Sequence, residues 1–247
     1  MFATRSVDTG ITAEAVRYNG RAVLLSSVAL GIAAFLSDLV PGTLGAILLT
    51  LTSSGFAWGM AALLLGFRQN TWRAAALAGA ATLIIATVVY YAMILGISQR
   101  WRGGSLQDGS SADYIGLLSV GRAAALWTMA SLCAGPVLGV IGWKIKVGSE
   151  RQSSILIAAS FGLFSADGFD AMIFRTSLRE HLHNFGVQFV QPGFLTIVFS
   201  ALAAFYLLRQ RGIRATTVTF IASAILSVTL SILLWRFASI VRVMVSV

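Results

Sequence analysis

Asp167 and Asp170 lie in the stretch Ser165-Ala166-Asp167-Gly168-Phe169-Asp170-Ala171-Met172-Ile173-Phe174-Arg175, inside a run otherwise apolar enough to span a membrane. Residues three apart on a helix share nearly one face, so the two carboxylates should point together. Ionised groups at membrane depth are costly and normally face a bundle interior or a watery cavity. Two kinds of chemistry follow. The carboxylates contact a small polar or zwitterionic ligand, with Arg122 as a counter-charge and Trp127 as an aromatic wall. Alternatively, Asp170 pairs with Arg175 or Arg122, while Asp167 caps a helix end or faces water. Asp38, at the end of the first apolar run, falls at a similar height and joins the candidate set. Gly168 permits a local kink under either reading.

Other chemistries find no support in the motifs. His181 and His183 are two apart and would point to opposite sides of a helix, a poor geometry for one metal. No HExxH, GxSG, paired-glutamate intramembrane protease motif or P-loop occurs. No lysine lies mid-span, which removes a retinal Schiff base. The expectation is a non-enzymatic protein with no cofactor and no metal. Cys133, the single cysteine, lies in an apolar run and is expected to act as a small buried hydrophobe.

The elements that must position these residues are transmembrane helices. The chain has 247 residues, 57% hydrophobic and 11% charged, with a mean hydropathy of +0.83. A soluble domain carries about 25% charged residues. The predicted class is all-α, a polytopic bundle of about seven spans (six possible), with the N-terminus cytoplasmic. Net charge is +9, but the basic residues sit in short clusters between apolar runs. That pattern reflects topology and anionic lipid headgroups rather than nucleic acid.

In order, residues 1–21 read as a cytoplasmic tail and 22–237 as one transmembrane bundle, with a C-terminal tail at 238–247. The first span runs from about Ala22 to Val40, where Pro41-Gly42 stops it. Residues 43–67 are interrupted by Thr52-Ser53-Ser54-Gly55. This is either a ligand-exposing break or the close helix crossing of a GxxxG pair, Gly55 and Gly59, with packing favoured. The same segment could cross as one broken span or form a re-entrant pair. The third span, Ala74 to Leu95, opens on a small face of Ala74, Ala78 and Ala81. Residues 97–113 form an external loop, rich in Gly and Ser and expected to be mobile. An interfacial lead-in to Gly121 precedes a fourth span, Arg122 to Trp143, kinked at Pro136 with a small-residue contact at Gly135 and Gly139. Ser154 to Phe174 is the fifth span, 177–191 an external amphipathic helix, and 192–208 and 216–235 the sixth and seventh.

On this topology the inside positives are Arg5, Arg17, Arg21, Arg68, Arg73, Lys144, Lys146, Arg151, Arg209, Arg211 and Arg214. Arg100, Arg102, Arg122, Arg175, Arg179, Arg236 and Arg242 fall outside, so the basic excess is on the N-terminal side. Asp167 then lies roughly 20 Å along its helix at about 1.5 Å per residue, in the outer part of the bilayer.

Three segments carry a family resemblance: Ser53-Ser54-Gly55-Phe56-Ala57-Trp58 leading into Leu65-Gly66-Phe67-Arg68, Ala134-Gly135-Pro136-Val137-Leu138-Gly139, and Phe164-Ser165-Ala166-Asp167-Gly168. Together they resemble an uncharacterised family of multi-pass membrane proteins from actinobacteria, a domain of unknown function. The likeness spans most of residues 22–237. In that family an acidic residue precedes glycine in the fifth span, often Glu where this chain has Asp167. It implies an integral protein of the bacterial plasma membrane and carries no activity. More loosely, the chain is similar to the substrate-binding subunits of energy-coupling-factor transporters, in which small-residue faces dock a partner. Ala29 and Ala33 match that pattern, whereas a seventh span and missing substrate motifs do not. The expected function is a solute-binding or accessory component of a membrane transport system with an outward-facing polar site. The competing reading is a structural or assembly partner without a ligand. Expected partners are the lipid bilayer and other membrane subunits or a second copy.

Overall fold

The computed structural model describes residues 20–175, 192–214 and 218–246. These are helical, with no strand beyond an isolated bridge between Ser105 and Ser111. The helices are α1 (Gly20–Ser37), α2 (Gly42–Thr52), α3 (Gly55–Phe67), α4 (Trp72–Met93), α5 (Asp113–Val147), α6 (Glu150–Asp170), α7 (Pro192–Arg211) and α8 (Val218–Ser246). Five-residue π-helical turns extend α4 over Ile94–Ser98 and α6 over Ala171–Arg175. The helix expected at 177–191, with His181 and His183, lies outside the described residues.

Six helical segments are long and apolar enough to cross a membrane: Gly20–Ser37, Gly42–Phe67, Trp72–Ser98, Asp113–Val147, Glu150–Ile173 and Gly193–Arg211. The apolar part of α8, Val218–Leu234, is 17 residues, at the short end of the roughly 17–25 that span hydrocarbon. The chain is therefore a multi-pass helical membrane protein with six or seven crossings.

Small residues decide the packing. Lipid tails are as apolar as leucine, so helices associate in a bilayer through close backbone approach and not through water exclusion. Gly135 and Gly139 of α5 lie against Ala75, Gly79 and Ala80 of α4, and Gly139 also meets Gly66 of α3. A Cβ at either α5 glycine would strike the α4 backbone. Gly142 presses on the backbone of Leu63 and Phe67 in α3. The expected Gly135–Gly139 contact thus exists, and its partners are α3 and α4. The predicted face of α4 is there too, with Ala74 and Ala78 buried and Ala81 half-buried. Beyond it, α1 approaches α4 through Gly31, which abuts Ala86 and Val89. On the other side α6 packs between α7, through Gly168 and Gly193, and α8, through Gly162 and Ser227. One core joins the two halves, with Met60, Leu63, Leu83, Leu138, Ile145, Ile157, Phe164 and Leu207 all buried together.

Many hydroxyls inside these helices are satisfied locally. Ser27, Thr82, Thr87, Ser131, Ser160 and Ser165 each donate to the carbonyl four residues back, the option open to a hydroxyl without water. Ser227 instead donates across to Ala158 of α6 at 3.0 Å, and the Thr87 and Ser131 hydroxyls meet at 3.2 Å.

Three expectations change. The lead-in and fourth span are one helix, α5, running without interruption through Pro136; at about 1.5 Å per residue it is longer than the hydrocarbon is thick. The 43–67 segment is broken into α2 and α3, with Ser54 capping α3 by accepting from the Ala57 amide at 3.3 Å. Gly59 packs on the Phe164 ring, but Gly55 is exposed at the first turn of α3 with nothing near its missing Cβ, so the two glycines are not a joint crossing. On α1, Ala29 is exposed and Ala33 half-buried. Cys133 is exposed on α5, not buried.

The loop at 99–112 is closed by its own hydrogen bonds: Leu106 N–H to Ser110 O at 2.8 Å, Ala112 N–H to Gly104 O at 2.8 Å and Gly103 N–H to the Asp113 carboxylate at 3.0 Å. Gly103 and Gly109 take φ of +87° and +81°, the left-handed turns that let it double back. At its tip Asp108 accepts from both the hydroxyl and the amide of Ser110, at 2.6 and 2.9 Å. Those bonds favour the ionised form and hold the Asp108 carboxyl below its usual range. The order they confer is present above the normal carboxylate pKa of about 3.9 and is lost as pH falls through the depressed value. Protection of the Ser110 amide relative to its intrinsic exchange rate should therefore persist at pH 5 and be lost only in stronger acid; loss of protection already at pH 5 would contradict the assignment.

Candidate functional site

The site is assembled where α1 ends. Ser37, in the last turn of α1, donates back to Ala33 at 2.7 Å, and its oxygen lies 2.8 Å from the Thr52 hydroxyl at the end of α2. The chain thus leaves α1 at Ser37 and returns to it at Thr52, so the α2–α3 break sits beside Asp38. The break exposes carbonyls that a continuous helix would use. Ser54 Oγ takes the Thr50 carbonyl at 2.6 Å, and the Trp58 indole N–H takes that of Thr52 at 2.7 Å. Trp58 meets the Tyr90 ring edge-on, with centroids 6.4 Å apart. The Tyr90 hydroxyl donates to Asp38 Oδ2 at 2.6 Å.

Arg100 completes the cluster. Its Nη1 donates to the same Asp38 Oδ2 at 2.9 Å. The π turn Ile94–Ser98 and Gln99, in the left-handed region at φ 47°, carry the chain round to place it. A non-glycine residue there is uncommon and costs about 1 kcal/mol. The Asp38 side chain is 13% exposed and that of Arg100 41%. Both donors use one carboxylate oxygen, and among the described residues no donor reaches Oδ1.

A second ion pair lies at the end of α6. Asp170, 4% exposed, accepts from Arg236 Nε of α8 at 2.8 Å. It sits where α6 passes into its π turn, beside the Gly168–Gly193 approach of α7. Asp167 is half-buried one turn earlier. Arg175 closes the π turn, and its side chain lies outside the described part.

The predicted set therefore separates. Asp38 takes Arg100 and Tyr90, and Asp170 takes Arg236. Arg122 is exposed on α5 and makes no ion pair with a described carboxylate. Trp127 is 47% exposed on the same helix, and the aromatic beside Asp38 is Trp58. Tyr90, Arg100, Ser37 and Arg236 were not anticipated as site residues, and Thr52 was read only as part of the break at 52–55. The signal that existed was the placement of Arg100 and Arg236 on the same side as the acids; nothing in spacing pairs residues more than 60 positions apart.

At the opposite end the tight turns interlock. Lys146 Nζ donates to Gln69 O and Asn70 Oδ1, both at 3.1 Å, and the Trp143 indole to Asn70 O at 3.2 Å. Arg211 donates to the carbonyls of Lys146 and Gly148, each at 2.6 Å. The basic residues of the 68–73, 144–151 and 209–214 turns thus share one end of the bundle. Comparison of the chain with protein-family models, with curated proteins and with solved structures finds no match, so function rests on this geometry.

Proposed function

We propose that the protein is a non-enzymatic, solute-binding or accessory component of a membrane transport system in the bacterial plasma membrane. Its outward-facing polar site is centred on Asp38, Tyr90 and Arg100. The end carrying the interlocked basic turns is assigned to the cytoplasm by the positive-inside rule, which puts Asp38 outside. The reading rests on one observation: Asp38 spends a single oxygen on its protein partners, beside a broken helix. Broken helices beside ionisable groups are how transporters present backbone and charge to a solute. Oδ1 is placed for a ligand ammonium. Arg100, with five N–H donors and one given to Asp38, has others for a carboxylate. A small zwitterion suits both.

The test is thermal unfolding of the purified protein across a panel of small zwitterions, amines and carboxylates. A zwitterion should raise the midpoint, while the D38N and R100Q proteins should each bind it at least about tenfold more weakly, the equivalent of roughly 1.4 kcal/mol. If no member shifts the wild-type midpoint, the cluster is a clamp and the protein a structural or assembly partner. The Asp170–Arg236 pair, which ties α6 to α8, favours that second reading.

A further inference from the structure

At the basic end, a groove of about 440 Å³ opens between the start of α4, the end of α5 and the first half of α6. Its volume lies within the roughly 300–1,000 Å³ range of small-molecule sites, but its wall differs from a solute pocket. Val140, Ile141 and Leu156 form an apolar floor, and Trp72, Trp143 and Lys144 form the rim. Tryptophan favours the membrane–water boundary, where its ring is apolar on one side and wet on the other. Trp72 is 53% exposed, and Lys144 is also exposed.

The rim cations differ from their neighbours. Lys146 and Arg211 are engaged by backbone carbonyls and the Asn70 side chain. Lys144 and Arg73 instead lie over the rings of their own neighbours, with Lys144 Nζ 5.9 Å from Trp143 and the Arg73 guanidinium carbon 5.3 Å from Trp72. Among the described residues neither has a carboxylate partner, and Glu150 in the first turn of α6 forms no ion pair with them. Lys144 on the rim and Arg73, whose guanidinium lies over the rim residue Trp72, are therefore two cations without a carboxylate partner beside an apolar slot.

From this complementarity we infer that the groove holds one anionic phospholipid, its acyl chain on Val140, Ile141 and Leu156 and its headgroup phosphate between Arg73 and Lys144. A zwitterionic lipid offers the same chain and phosphate, but its ammonium opposes the two cations. The site is independent of the Asp38 cluster, and neither proposal requires the other.

Native mass spectrometry of the full-length protein, titrated with phosphatidylglycerol or phosphatidylcholine of matched chains, tests it. One phosphatidylglycerol should bind at concentrations where phosphatidylcholine does not. The R73Q/K144Q protein should bind it about 30-fold more weakly, from about 1 kcal/mol for each cation. Ile141→Trp, which fills the floor and keeps both charges, should also weaken it at least tenfold. Equal affinity for the two lipids overturns the inference. So does binding that survives R73Q/K144Q. Loss with R73Q/K144Q but not with Ile141→Trp also overturns it, because the charge would then attract headgroups without a groove. Wild-type thermal midpoints in both variants would establish that any loss is not unfolding.

Discussion

Replacing Gly139 with leucine is expected to be the most damaging single change in the bundle. Its missing Cβ faces the Ala75 carbonyl and Gly79 of α4, while its own backbone lies against Gly66 of α3. A side chain has no rotamer that avoids α4, since the obstruction is backbone and meets the Cβ itself. Overpacking a well-packed interior costs about 1–3 kcal/mol and sometimes more, and three helices separating at once places Gly139→Leu at or above the top of that range. At about 2–4 °C per kcal/mol for a chain of this size, the unfolding midpoint in detergent should fall by roughly 6–12 °C. Gly121→Ala on the same helix is the control. Nothing lies within 4 Å of its added Cβ, so it should be neutral or stabilise by up to about 1 kcal/mol through helix propensity. Equal midpoints for the two proteins would mean that α5 does not dock on α3 and α4 through its glycines.

The second large effect belongs to the Asp170–Arg236 pair. Removing one partner of a buried pair costs about 3–5 kcal/mol, because the remaining charge has lost its best compensation in a low-dielectric site. Here Asp170 is buried, but the Arg236 side chain is 46% exposed, so solvent screens part of the interaction and about 2 kcal/mol is the expected loss. The two partners should respond differently. R236Q leaves a carboxylate at a buried position and should cost the most. D170N leaves an amide oxygen that still accepts from the guanidinium and should cost less. In a thermal-unfolding double-mutant cycle the two losses should overlap by about 1 kcal/mol. Additivity within about 0.5 kcal/mol would show no coupling, and α8 would then be held by its other contacts, the Ser227–Gly162 approach and Phe220 on the core among them.

Both predictions concern contacts that differ in how far they could be seen in the amino-acid order. The Gly135–Gly139 spacing was legible because a helix repeats every 3.6 residues, and two glycines four apart make a groove wherever they occur. Gly55–Gly59 has the same spacing and does not pack jointly, because Ser53 and Ser54 end one helix and start another just before it. Local chemistry predicted both the break and the pair, and the backbone could realise only the break. On α1 the contact with α4 is made through Gly31, while Ala29 is exposed and Ala33 half-buried.

What the sequence by itself determined is the class: long apolar runs, few charges and basic turns permit only a helical multi-pass bundle, because every peptide group in hydrocarbon must bond within its own helix. It also singled out Asp38 and Asp170, since a carboxylate in such a run is conspicuous whatever surrounds it. Their partners were decided by the tertiary structure alone. Asp38 meets Arg100 across 62 positions and Asp170 meets Arg236 across 66. Arg122, the partner read from the sequence, stands in the first half of α5, where no residue before Ser131 is buried, and its described neighbours bring no carboxylate to it. Helix periodicity fixes which residues share a face, but which face meets which neighbour depends on packing among all the helices, and that packing decides where each charge ends.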